Sequence, residues 1–108
     1  MYLDKWESQV RKGLLEFILL LTIAKKENYG FELISEIKRK SSLDISEGTI
    51  YPLLNRMERE ALIKSSWRQE GSAVPRKYYR LTDLGRSTER AMREHWLELG
   101  SSIEKLMT

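Results

Sequence analysis

Apolar side chains recur at helical spacing in four separate stretches of this chain of 108 residues. The first stretch runs from about Lys5 to Lys26, the second from Phe31 to Lys40, and the third from Ser46 to about Ala61. Thr82 can cap a fourth helix that runs toward the last residue. Each amphipathic helix has an apolar face that must be buried, so the chain must fold as a small domain in which helices cover one another.

A β-hairpin is predicted between the third and fourth helices. Residues 62–69 and 76–81 have strand character, and the segment between them contains Gly71 and Pro75, which favour a projecting loop. The hairpin is also the most basic part of the chain, with Lys64, Arg68, Arg76, Lys77 and Arg80. Three helices followed by a basic hairpin are the element order of a winged helix-turn-helix. The predicted fold class is therefore α+β, mainly α, extended by a long C-terminal helix.

The fourth helix carries a narrow apolar seam. Its members follow spacings of 4, 3, 4 and 3, as the a and d positions of a coiled coil do: Met92, Trp96, Leu99, Ile103 and Leu106. No later element of the chain covers this seam, so a second copy of the protein is its simplest cover. We therefore expect one compact unit, with a winged helix-turn-helix domain over residues 1–81, including the N-terminal helix, and a dimerisation helix over residues 82–108.

The composition argues against an enzyme. The chain has no cysteine, which excludes a thiol nucleophile and a cysteine-based zinc site, and His95 is its single histidine. The Ser35 and Lys38 pair matches the spacing of some acylating enzymes, but the accompanying motifs are missing. We expect no catalytic residue, metal or cofactor. The apolar run from Leu14 to Ala24 is too short to cross a bilayer, which predicts a cytoplasmic protein without a membrane partner.

The charge distribution favours a polyanionic partner. Residues 35–81 hold ten Lys and Arg against six Asp and Glu, whereas residues 1–34 are balanced, so the positive excess lies in the middle of the chain. Small residues at the start of the third helix, Ser46, Gly48 and Thr49, allow close approach to a groove of duplex DNA. Arg76 and Lys77 on the hairpin can hold phosphates or enter the minor groove.

Three blocks of sequence resemble the PadR family of transcriptional regulators. They are Tyr29-Gly30, the segment 47–54 (EGTIYPLL) and the segment 76–82 (RKYYRLT) that leads to Gly85. The resemblance implies a homodimeric winged-helix repressor of operator DNA. It implies DNA contacts for Tyr29, Thr49, Tyr51, Arg76 and Lys77, and positions at or near the groove for Ser46, Glu47, Gly48 and Asn55.

The single long C-terminal helix resembles the short subgroup of that family, which includes multidrug-binding regulators. In those members a tryptophan of the last helix faces its symmetry mate and sandwiches flat aromatic ligands. The resemblance implies this role for Trp96, with Met92, Val10, Gly13 and Phe17 as neighbours on the pore wall. A planar aromatic small molecule is thus the expected effector.

Two alternatives remain open at the level of sequence. The protein can be a regulator without a small-molecule effector, in which case Trp96 is interface core, or a protein-interaction module that does not bind DNA. Trp6 and Trp67 are predicted to be packing residues rather than binding residues.

Overall fold

The computed structural model describes residues 1–108 and contains four helices and three short strands. The predicted helices, hairpin and long last helix are confirmed. In chain order the elements are α1 (Tyr2–Lys25), β1 (Asn28–Tyr29), α2 (Gly30–Ser41), α3 (Glu47–Arg59), β2 (Ile63–Arg68), β3 (Arg76–Leu81) and α4 (Asp83–Met107).

The core forms where α1 is covered by the other elements. Leu19 and Leu20 of α1 are adjacent in sequence and both are fully buried, so this helix is covered on more than one side. The spacing of Ile50, Leu54 and Met57 on α3 places all three on one helical face, and all are fully buried. The opposite face of α3 is therefore left to solvent.

The sheet has one strand that periodicity did not predict. Its order is β1-β3-β2 and both pairings are antiparallel. Strand β1 has two residues, which is too short to show an alternating pattern in the sequence. It matters because it joins the start of α2 to the hairpin.

The start of α4 is anchored to the hairpin by its capping residue. The Thr82 hydroxyl accepts a hydrogen bond from the Gly85 amide at 2.9 Å and donates to the Ala61 carbonyl at 2.6 Å. Gly85 is buried, and a Cβ at this position would overlap the Leu62 carbonyl oxygen. The helix can pack this closely only because residue 85 is glycine.

The prediction that Trp6 and Trp67 are packing residues is wrong for the single chain. Trp6 is 53% exposed and Trp67 is 70% exposed. Trp67 lies near the end of β2, beyond the part of the sheet that packs on the core, and Trp6 lies on the first turns of α1. Apolar spacing alone did not show that these positions lie at the edges of the core.

Candidate nucleic-acid interface

The N-terminal end of α3 is open to solvent. Ser46 is the N-cap residue, but its hydroxyl lies 3.0 Å from the Thr49 hydroxyl instead of accepting from a backbone amide. The amides of Glu47 and Gly48 have no acceptor in the chain, and residues 46–49 are all exposed. Unsatisfied amides at a helix N-terminus attract phosphate. The predicted groove-facing residues thus lie at an accessible, anion-attracting position.

Tyr51 connects this end of α3 to the start of α2. Its ring packs on the buried Gly30, where a Cβ would overlap the ring atoms. Burial and the nearby negative charge of Glu47 raise the pKa of Tyr51 above its ordinary value, so the hydroxyl is protonated at neutral pH and can donate a hydrogen bond. Asn55, one turn further along α3, is exposed.

The strand register sorts the hairpin residues onto two faces, because residues directly opposite each other in an antiparallel pair point to the same side. The core face carries Ile63, Tyr79 and Leu81, which are buried. The other side, called here the solvent face, carries the pairs Lys64 and Arg80, Ser66 and Tyr78, and Arg68 and Arg76. Arg76 and Lys77 are neighbours in sequence and therefore lie on opposite faces.

Tyr29 and Arg76 are brought together on the solvent face. The Arg76 Cζ atom lies 4.4 Å from the centroid of the Tyr29 ring, which is a cation–π geometry. Tyr29 in turn meets Tyr78 edge to face, with centroids 5.4 Å apart. Arg68 lies over the other ring, 4.7 Å from the Tyr78 centroid, and also pairs with Glu27. Two residues predicted from separate motifs thus form one contact.

Lys77 is held by α3 instead. Its Nζ lies 3.3 Å from Oε1 of Glu58, and the other carboxylate oxygen, Oε2, accepts a hydrogen bond from the Ser65 hydroxyl. The hydrogen bond from Ser65 lowers the pKa of Glu58 below its usual value, and the hydrogen bond and positive charge of Lys77 lower it further by a smaller amount. Neither Glu58 nor Ser65 was a candidate from the sequence, because the link joins a helix to a strand and no local pattern marks it.

A groove of about 840 Å³ is lined by residues of α1 and α4. Of the residues predicted to bind a small molecule, four line it: Gly13, Phe17, Met92 and Trp96. Val10 does not line it. Glu16 and His95 also line the groove, and neither was predicted as a ligand-binding residue. Glu16 pairs with Arg56 of α3 at 3.3 Å.

Most of the predicted seam of α4 is uncovered in the single chain. Met92 is half-buried and packs against the core, while the other four members, Trp96, Leu99, Ile103 and Leu106, are exposed. Within the described chain no cluster of acidic or histidine side chains is arranged to hold a metal ion. Nor is any helix long and apolar enough to cross a membrane.

These features define a winged helix-turn-helix protein with a long C-terminal helix. A model of the PadR-like family of transcriptional regulators matches residues 19–91. The chain therefore belongs to the PadR-like family, whose members are transcriptional regulators and not enzymes.

Solved structures of the family have the same fold. A PadR family transcriptional regulator from Eggerthella lenta is 31% identical, with a TM-score of 0.87 over 98% of this chain and 92% of that one. A PadR-like regulator from Bacillus cereus is 34% identical, with a TM-score of 0.83 over 93% and 97%. Bacillus subtilis PadR, solved in complex with operator DNA, is 25% identical, with a TM-score of 0.68. That match covers 73% of this chain and 45% of the longer PadR chain.

Proposed function

We propose that this protein is a homodimeric transcriptional repressor that binds a two-fold symmetric operator in the cytoplasm. The observation that carries the proposal is a chain of contacts between the three motifs. Tyr51 of α3 packs on Gly30, and the adjacent Tyr29 lies under Arg76 of the hairpin. Residues from three separate blocks of sequence are thus linked by direct contacts, and one of them, Tyr51, lies in the second turn of α3.

The operator complex of Bacillus subtilis PadR supports this assignment, because that protein has the same fold. In the proposed complex, the N-terminal half of α3 enters the major groove, with Ser46, Glu47, Gly48, Thr49 and Asn55 at or near the bases. Tyr29, Tyr51 and Arg76 contact phosphates. Lys77 reaches the backbone from the other side of the hairpin, where its pairing with Glu58 must loosen.

The exposed seam of α4 supports the homodimer. A stripe of large apolar side chains at coiled-coil spacing gains free energy when a second copy covers it. We propose that residues 82–108 serve as the dimerisation helix and residues 1–81 as the DNA-binding domain. A two-fold dimer places two copies of α3 about one helical turn of DNA apart.

DNA binding is tested by selecting duplexes from a random library with the purified protein and measuring affinity for a selected duplex and an unrelated one. Arg76→Ala should weaken both, because a phosphate contact carries no sequence information. Arg86→Ala, which removes an exposed cation from α4, is the charge-matched control and should change neither. Unchanged affinity of Arg76→Ala for both duplexes would remove Arg76 from the interface, and failure to select any duplex would favour an interaction module.

We further propose that a planar aromatic molecule binds the groove between α1 and α4 at the dimer interface and relieves repression. The groove volume is within the usual range for small-molecule sites. It offers the Trp96 ring together with the carboxylate of Glu16, which favours a cationic ligand. Glu16 also pairs with Arg56 of α3, so a cation that competes for Glu16 has a direct contact through which to disturb the DNA-binding helix.

The ligand site is tested by titrating the protein with the planar cationic dye proflavine while following tryptophan fluorescence. Saturable quenching in the wild type that is lost in Trp96→Ala supports the site. A Trp67→Ala variant controls for quenching at an exposed tryptophan outside the groove. No saturable quenching in an intact dimer would leave a regulator without this effector, and a monomeric Trp96→Ala variant would make Trp96 an interface residue.

A further inference from the structure

A cleft of about 430 Å³ is lined by residues from the C-terminal halves of α1 and α2. It shares no lining residue with the groove between α1 and α4. Its volume is within the usual range for small-molecule sites. One lining residue, Leu43, belongs to the segment that joins α2 to α3. A molecule bound in this cleft therefore touches the connection between the two helices of the helix-turn-helix.

The apolar wall of the cleft is aliphatic. Four branched side chains form it: Ile18, Leu21, Ile37 and Leu43. Ile37 is buried, while Ile18 and Leu43 pack against the core and stay partly exposed. No aromatic ring lies among the lining residues, whereas the groove between α1 and α4 contains Trp96. The wall can therefore cover an aliphatic chain, but it offers no ring on which a flat aromatic molecule could stack.

The polar part of the cleft has an excess of positive charge. Three lysines, Lys25, Lys26 and Lys40, lie there with one carboxylate, Glu36. Hydrogen bonds from Arg39 and, to a smaller extent, Lys40 lower the pKa of Glu36 to about 2, so this carboxylate is ionised and already paired. Lys25 and Lys26 make no ion pair. The charge that is left for a ligand is therefore positive.

Asn28 provides an observation that is independent of this charge, since lysines are common at the C-terminal end of any helix. The residue lines the cleft and is only 3% exposed. Its Nδ2 donates to the Lys26 carbonyl at 2.9 Å, but its Oδ1 has no hydrogen-bond partner in the chain. No fully enclosed polar side-chain atom of the structure lacks a partner. The Asn28 oxygen is therefore accessible, and the space that it adjoins is the cleft.

An amide oxygen in this position favours an occupant that supplies a hydrogen-bond donor. Because the Asn28 side chain is bonded to the Lys26 backbone, the donor must lie close to the group that the lysines attract. We propose that the cleft binds an aliphatic carboxylate with a hydroxyl group near its carboxylate. The lysines pair with the carboxylate, Asn28 accepts from the hydroxyl, and the aliphatic wall covers the chain. This site differs from the groove between α1 and α4 both in place and in the charge of its ligand.

The test titrates the purified protein with 3-hydroxyoctanoate in a calorimeter, where we expect saturable binding of one molecule per chain. Octanoate lacks the hydroxyl and should bind about fivefold more weakly, as expected for the loss of one hydrogen bond. 1-Octanol also lacks the carboxylate and should bind weaker than octanoate by about tenfold. Equal affinity for the three molecules would overturn the inference, because only apolar burial would then hold them. No DNA is present, so the result is independent of the proposed repressor function.

Variants of the cleft test each contact separately. Lys25→Gln/Lys26→Gln should weaken the binding of 3-hydroxyoctanoate about tenfold. Lys12→Gln/Lys64→Gln is the charge-matched control, because it removes two exposed lysines that lie outside the cleft, and it should bind like the wild type. Asn28→Ala should bind 3-hydroxyoctanoate and octanoate with equal affinity. Both molecules are measured on the same variant, so a change in its stability does not affect this comparison.

Three results with these proteins would overturn the inference. The first is an absence of saturable binding of 3-hydroxyoctanoate to the wild type. The second is wild-type affinity in Lys25→Gln/Lys26→Gln, or a preference for the hydroxyl that persists in Asn28→Ala. The third is loss of binding in Trp96→Ala, because the molecule would then lie in the groove between α1 and α4.

Discussion

At the scale of single residues, Gly30 sets the distance between α2 and α3. The Tyr51 ring occupies the space that a side chain at position 30 would need. Gly30→Ala should therefore lower the free energy of unfolding by about 1–3 kcal/mol, which is the usual cost of overpacking. Urea unfolding followed by circular dichroism measures this difference.

The same substitution in a Tyr51→Ala background provides the control. With the ring removed, the new methyl group meets no obstacle, and alanine is the better helix former. The cost of Gly30→Ala should then vanish. An equal cost in both backgrounds would mean that the two residues do not interact, because independent substitutions are additive.

At the scale of elements, Glu58 joins α3 to the hairpin through Ser65 and Lys77. The pKa of Glu58 is lowered in the folded protein, so its contribution to stability is present above the ordinary value of 4.5 and is lost as the pH falls through the lower folded value. Glu58→Gln should lower the free energy of unfolding by about 1 kcal/mol at neutral pH. The difference from wild type should shrink in acid, as measured by urea unfolding over a range of pH.

Glu70→Gln is the matched control for this link. Glu70 is exposed next to the hairpin loop and makes no ion pair, so its removal should leave stability unchanged at every pH. A difference between Glu58→Gln and wild type that persists undiminished in acid would show that the carboxylate charge is not what joins the two elements.

At the scale of the whole molecule, the exposed seam of α4 predicts the oligomeric state. Ile103→Glu places a charge on the seam and should convert the dimer to a monomer, as measured by sedimentation or light scattering. The core lies within one chain, so the monomer should stay folded. Its operator affinity should fall by about 10²-fold or more, because the second half-site is no longer linked to the first.

Leu97→Glu is the control on the same helix. Leu97 is 66% exposed, more than Ile103 at 45%, but it lies on a different face of α4 from the seam. It should leave the dimer intact. Dissociation by Leu97→Glu, or a stable dimer in the presence of Ile103→Glu, would contradict the seam as the interface.

The elements of this protein could be predicted from sequence because their signals are local. Helical spacing marks Ile50, Leu54 and Met57 as one buried face whatever the rest of the chain does. The hairpin and the capping role of Thr82 are read from neighbouring residues in the same way. The PadR resemblance depends on three short blocks, each of which is likewise recognisable from the order of its residues alone.

Other features depend on which distant segments meet, and only the tertiary structure decided them. Alternation along a strand puts Arg76 and Lys77 on opposite faces, but the packing of the sheet determines that Lys77 turns to Glu58 while Arg76 lies over Tyr29. Strand β1 exists because it pairs with β3, since two residues carry no periodic signal of their own. Periodicity along one segment contains no information about its partners in space, which is the physical reason for this division.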